Sequence, residues 1–185
     1  MAHDVCPWWL GYWLASPMRR LLHNPAAILT PFVQPGMTVF EPGPGMGFFT
    51  LEMARMVGRH GRIVAVDIQP KMLSALGRKA GRKGVRDRIE LRLADQRGMG
   101  IGDLAGKVDF VLAFAMVHEL PDSRQFFNES FAALKPGGKL LFSEPTQHIG
   151  ESEFAKSLDH AKQAGFLVES TPAIRSSLSA LLVKK

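Results

Sequence analysis

Apolar residues along this chain follow two rhythms that take turns. Short runs of β-branched or alternating apolar residues occur at Thr38-Val39-Phe40, Arg62-Ile63-Val64-Ala65-Val66, Ile89-Glu90-Leu91-Arg92-Leu93 and Val108-Asp109-Phe110-Val111-Leu112-Ala113-Phe114. Each reads as a strand. Leu134 to Phe142, with Lys135-Pro136-Gly137-Gly138 inside it, reads as a helix end, a turn and a fifth strand. Between the runs the spacing lengthens to three and four residues, which puts apolar side chains on one helical face. Phe49, Met53 and Val57 mark a helix from Phe48 to Val57, with Gly58 as its left-handed cap. Pro70 suits the first turn of the next helix, whose Met72, Leu73 and Leu76 face inward. Phe126, Phe127, Ser130, Phe131 and Leu134 mark a helix after Pro121, and Phe154, Leu158 and Ala161 mark another that Gly165 closes. Phe166 to Glu169 and Leu178 to Val183 then read as strands six and seven. Strands alternating with helices predict an α/β fold with a doubly wound sheet.

The turn after the first strand carries the most specific chemistry. Glu41-Pro42-Gly43-Pro44-Gly45-Met46-Gly47 places an acid at the strand end and then three glycines at every second residue. Glycines in such a turn let the backbone fold back tightly and let a ligand approach it. The next helix would point its free N–H groups at the same place. A dinucleotide fingerprint requires Gly-x-Gly-x-x-Gly, but Phe48 stands where its third glycine belongs. Glu41 also argues against a pyrophosphate and for a cofactor that carries positive charge.

The segment resembles motif I of the class I S-adenosylmethionine-dependent methyltransferases, a family that includes the quinone-biosynthesis C-methyltransferases. The resemblance extends through the later strands, over about residues 37 to 145. It implies a Rossmann-like seven-stranded sheet in a three-layer αβα sandwich, with strand order 3-2-1-4-5-7-6 and an antiparallel last strand. It also implies a cofactor, S-adenosylmethionine, held by Glu41, Gly43, Pro44, Gly45 and Gly47 in the loop. Asp67 would bind the ribose and Ile68 lie on the adenine. Asp95 and Gln96, after the third strand, would meet the adenine edge, and Phe114 would close the site after the fourth. Asp67 also fits an N-cap before Pro70, and Asp95 a turn residue.

Composition narrows the picture. With 185 residues, 46% of them hydrophobic, the chain can bury about 70% of its unfolded surface, enough for one domain. The expected division is a helical N-terminal lid over 1–35 and a Rossmann-like core over 36–185. No run approaches the roughly 18 apolar residues of a membrane span, and the N-terminus does not read as a secretory leader, so the expected location is the cytoplasm. The one cysteine, Cys6, builds neither an internal disulfide nor a metal site. It also counts against the arsenite methyltransferases, which depend on several.

Trp8, Trp9, Tyr12 and Trp13 gather every tryptophan and the sole tyrosine near the N-terminus. Ser16-Pro17 and Asn24-Pro25 each predict a short capped helix behind them. Trp9 and Trp13 are therefore candidates for a lid that lines a substrate pocket; a membrane-surface anchor is the other reading. Net charge is +6, and Arg78, Lys79, Arg82, Lys83, Arg86, Arg88, Arg92 and Arg97 crowd one stretch. Without aromatic residues for base stacking, this reads as a solvated face rather than a nucleic-acid surface.

Methyl transfer from a sulfonium mainly requires alignment and exclusion of water, with a base for some acceptors. His118 and Glu119 follow the fourth strand, at the sheet edge where substrates meet such folds. They are the candidate catalytic pair, His118 as the base. Glu144 and His148, after the fifth strand, share that rim. The expected partner is a small-molecule methyl acceptor. An RNA methyltransferase and a non-catalytic S-adenosylmethionine-binding subunit are the alternatives.

Overall fold

A computed structural model describes residues 23–94 and 98–185. Trp9, Trp13, Cys6, the helix expected after Ser16-Pro17, and the site candidates Asp95 and Gln96 lie outside the described residues.

The described chain divides into two compact units, 23–94 and 98–185. The first opens with the short helix α1 (Pro25–Leu29), where the Asn24 side chain accepts the N–H groups of Ala26 and Ala27 and Pro25 occupies the first turn. Strand β1 (Thr38–Pro42), helix α2 (Thr50–Met56), β2 (Arg62–Asp67), α3 (Pro70–Arg82) and β3 (Ile89–Leu93) follow. The three strands are parallel, Phe40 facing Val64 and Ala65 facing Leu91. Val39, Phe40 and residues 63–66 are buried, as strands covered on both faces must be. Helix α2 starts two residues later than its apolar spacing suggests. Gly45 and Gly47 have φ of +53° and +86°, outside the helical region, so no helical turn can form until the loop is complete.

The second unit contains β4 (Val108–Phe114), α4 (Ser123–Ala133), β5 (Leu134–Pro145), α5 (Glu151–Gln163), β6 (Leu167–Ser170) and β7 (Ser177–Val183). Strand β5 runs parallel to β4 and antiparallel to β7, which pairs antiparallel with β6. The turn expected at Lys135 to Gly138 is absorbed into β5 as an irregularity. Val108 faces Leu134 while Phe110 faces Lys139, so four residues on β5 oppose one on β4. Their backbone is engaged elsewhere, since Gly137 N–H donates to Lys184 O and Lys184 N–H to Gly138 O. Phe127, Phe142, Phe154 and Phe166 form the aromatic core, with Phe142 and Phe154 stacked at 4.7 Å.

The seven strands follow the order β3-β2-β1-β4-β5-β7-β6. This is the Rossmann-like sheet expected, with the last strand antiparallel and inserted beside β5. Among the described residues no helix is long and apolar enough to cross a membrane.

Candidate active site

Within the 23–94 unit, the end of β1 sets the geometry. Glu41 is buried, and its Oε2 accepts the hydroxyl of Thr50 at 2.5 Å. The first residue of α2 is thereby tied to the end of β1. Gly43 N–H donates to Val66 O at 2.9 Å, which fastens the loop to β2. The three glycines have different duties. At Gly47 an added Cβ would sit 2.4 Å from Leu76 Cδ1 and 3.3 Å from Leu51, so this glycine permits close packing of the loop on α3. At Gly45 an added Cβ meets no described atom within 4 Å; there the need for glycine is the left-handed φ and an open approach to the backbone. Pro44, between Gly43 and Gly45, is buried, and Gly43 is exposed. Lys79 on α3 donates to the carbonyl of Met46 at 3.3 Å, and burial lowers its pKa.

Asp67 ends β2, only 8% exposed. Its Oδ1 accepts the N–H of Gln69 at 2.8 Å, so it shapes the entry to α3, whose N-cap residue is Gln69. Burial pushes its pKa up, against the pull of the Gln69, Gly45 and Ile68 amides. The Gly45 amide joins the glycine loop to this acid. Beside it, Ile68 and Leu93 are exposed, at 47% and 60%. Leu93 faces Asp67 across the β2–β3 ladder. Exposed aliphatic side chains next to a buried acid make a surface suited to a flat base and its sugar hydroxyls.

In the 98–185 unit the chain leaves β4 with Phe114 buried and Ala115 at φ +56°. A left-handed conformation at a residue with a Cβ costs about 1–2 kcal/mol. Ala115 N–H donates to Ser143 O at 2.8 Å, which holds that bend, and Val117–Glu119 then form a single 3-10 turn. At the end of β5 the side chain of Glu144 is fully buried. Its Oε1 accepts the N–H of Val117 at 2.7 Å and of His118 at 3.3 Å, and its Oε2 is hydrogen-bonded to His118 Nδ1. His118 Nε2 lies 3.9 Å from Glu119 Oε1. The rings of His118 and His148 are parallel, 5.5 Å apart. The pKa of His118 is raised, first by its bond to Glu144, against burial, and further by the charges of Glu144 and Glu119.

The structure thus gathers Glu41, the three glycines, Asp67 and Ile68 in one unit, and His118, Glu119, Glu144 and His148 in the other. Sequence reasoning passed over Thr50 and Ala115, read Lys79 only as part of a solvated basic face, and gave Glu144 no role beyond its place on the rim. A hydroxyl at the start of the helix after an acidic strand end was the available signal for Thr50. The sequence carried none for Ala115. Of the basic run, Arg86 donates to Ile89 O, Arg88 to Ala54 O and Arg92 to Glu90, so these side chains are engaged within the unit. Arg78, Arg82 and Lys83 are exposed on and just after α3.

Comparison with known proteins adds to this geometry. A family model described as a methyltransferase domain matches residues 40–142. The arsenite methyltransferase of Halobacterium salinarum is 30% identical over 124 residues, covering 67% of this chain and 30% of that protein. The ubiquinone/menaquinone biosynthesis C-methyltransferase UbiE of an Enterobacter species is 31% identical over 116 residues, 61% of this chain and 45% of that one. The chain therefore spans less than half the length of either relative. A crystal structure of an S-adenosylmethionine-dependent methyltransferase from Aquifex aeolicus superposes with a TM-score of 0.83 at 24% identity, covering 97% of this chain and all of that one, which is a likeness of fold.

Proposed function

The chain belongs to the methyltransferase-domain family, and from that premise we propose that it is an S-adenosylmethionine-dependent methyltransferase acting on a small molecule in the cytoplasm. The observation that carries the reading is the loop of Gly43, Gly45 and Gly47 joined to Asp67. Its backbone is open at Gly45, and a buried carboxylate stands beside it. These residues fit the cofactor. Asp67 would accept the ribose hydroxyls, Ile68 and Leu93 would cover the adenine, and Glu41, fixed by Thr50, would balance the positive end. When bound, S-adenosylmethionine supplies a methyl group already activated by its sulfonium. The protein's share is to hold the acceptor in line, keep water away and accept the acceptor's proton, the work proposed for His118 with Glu119.

Support for a small acceptor comes from the basic run, where Arg88 and Arg92 are mostly covered and bond within the unit. Titration calorimetry with S-adenosylhomocysteine and with NAD, followed by product analysis on a metabolite panel beside an RNA pool, tests the reading. Binding of S-adenosylhomocysteine and a methylated metabolite are expected. NAD binding without S-adenosylhomocysteine would overturn the cofactor, and preferential methylation of RNA would overturn the acceptor class. Binding without any methylated product would favour a non-catalytic subunit.

A further inference from the structure

One stripe of α3 carries the glycine loop. Met72, Ala75, Leu76 and Lys79 follow the spacing of a single helical face, and the stripe meets the turn after β1 at three points. Met46 is buried in one cluster with Met72 and Ala75. Leu76 lies so close under Gly47 that an added Cβ would collide with it at 2.4 Å. Lys79 Nζ donates to the Met46 carbonyl at 3.3 Å. The other three side chains of the stripe are apolar and buried, so for packing alone a leucine or methionine would suit the fourth position. The ammonium there gives up part of its water, and that burial lowers its pKa. Its basic neighbours Arg78, Arg82 and Lys83 stay exposed. Lys79 stands apart from them by its bond to the loop.

The bond acts on one peptide unit. In the Met46–Gly47 peptide the N–H donates to Pro44 O at 3.0 Å and the C=O accepts Lys79 Nζ, so the plane is held at both ends. Turning that plane over changes ψ of Met46 and φ of Gly47. Gly47 stands at φ +86°, and a glycine accepts either sign of φ, so the residue itself offers little resistance. Gly45, with its open backbone and its amide acting on Asp67, comes immediately before this peptide. We propose, resting on the methyltransferase reading above, that Lys79 is a positioning residue for the cofactor, holding the Met46–Gly47 peptide so that the glycine loop keeps the backbone arrangement that receives S-adenosylmethionine. Lys79 acts through the backbone of the loop and not by touching the ligand. Without the ammonium the peptide can turn over, and the loop divides its time between arrangements. A loop that holds the binding arrangement about a tenth of the time binds about tenfold more weakly.

Two variants of the full chain test this. Lys79→Met keeps an unbranched stem suited to the apolar stripe and loses the donor, whereas Lys79→Arg keeps a charged donor. Carbonyl-labelled methionine combined with nitrogen-labelled glycine gives one NMR signal for Met46–Gly47 and one for Met99–Gly100, so the Met46 carbonyl is read directly and without a ligand. In Lys79→Met the Met46 signal should move to higher field, as that of a carbonyl losing a donor does, while the Met99 signal stays. Calorimetric affinity for S-adenosylhomocysteine should fall about tenfold in Lys79→Met and stay within about threefold of the wild type in Lys79→Arg. The thermal midpoint of Lys79→Met should be no lower than that of the wild type. A Met46 signal or an affinity that Lys79→Met leaves unchanged overturns the proposal. So does a lowered midpoint in Lys79→Met, or an equal loss of affinity in Lys79→Arg with its Met46 signal kept, because either would trace the effect to packing. Failure of the wild type to bind S-adenosylhomocysteine would overturn the cofactor reading and the positioning role with it. Equal binding by wild type and Lys79→Met would overturn the positioning role alone.

Discussion

Asp67 and Glu144 hold similar places in the two units, each a buried carboxylate at the tip of a strand that accepts main-chain N–H groups. Their surroundings then diverge. The amides of Gln69, Gly45 and Ile68 act on Asp67, fixed donors that never change charge. Glu144 adds the ring of His118, a titratable group whose pKa it raises. A carboxylate held by amides is a standing set of acceptors, fit to grip hydroxyls. One held by an imidazole tunes the ring's proton affinity, fit to help in moving a proton. The proposed reading gives holding to the first unit and proton handling to the second.

The sharpest way to break that assignment is His118→Ala. Turnover should fall by about 10²–10⁴-fold while calorimetric affinity for S-adenosylhomocysteine is nearly unchanged. Equal losses in both quantities would erase the division. Next in size is Asp67→Ala, which should cost about 1.5–3 kcal/mol of cofactor affinity and leave the His118 titration where it was. The same acid offers an unusual stability check. Its pKa is raised from 3.8, so its contribution to folding is fully present below that value and is lost as pH rises through the folded pKa. At neutral pH its charge weighs against the fold. Asp67→Asn should therefore leave the thermal midpoint at pH 7 unchanged or higher, even as binding weakens.

Backbone strain supplies a smaller, mirrored pair. Gly45→Ala places a Cβ at φ +53° and should destabilise the protein by about 1–2 kcal/mol. Ala115→Gly relieves the same strain at φ +56° and should stabilise by up to about 1 kcal/mol, after the entropy of a freer unfolded chain is deducted. Denaturant titrations decide both. Smallest is the pH effect of the imidazole. The His118 pKa is raised from 6.5, so its stabilisation is complete below 6.5 and lost as pH rises through the higher folded value. The excess stability of wild type over His118→Ala should shrink as pH rises above 6.5.

The holding half of this contrast was legible in the sequence because its parts are close along the chain. Glu41 through Gly47 is one continuous turn, and Asp67 ends the next strand, so period and spacing carry most of the information. The contacts that Thr50 and Lys79 make escaped, Lys79 having been read as part of a solvated face. The proton-handling half was legible as residue types on a rim but not as a device. Glu144 lies 26 residues after His118 in sequence, and the pairing of Phe114 with Ser143 in adjacent parallel strands brings them to one level. That pairing follows from topology. The irregular stretch of β5 is likewise set by a distant partner, whereas the later start of α2 has a local cause. Left-handed glycines delay the helix, and the backbone contacts of Gly137 and Gly138 with Lys184 decide what residues 135–138 do.

The glycine loop touches α3 at two places one helical turn apart, with Leu76 packed under Gly47 and Lys79 holding the Met46 carbonyl. Mechanically, the loop and this helix behave as one lever. A ligand that stills the loop must also quiet the helix behind it, so slowed amide hydrogen exchange should spread along α3 well beyond the residues in contact with the ligand. The exposed cations Arg78, Arg82 and Lys83 ride on that lever and would register, at the protein's surface, whether the loop is occupied.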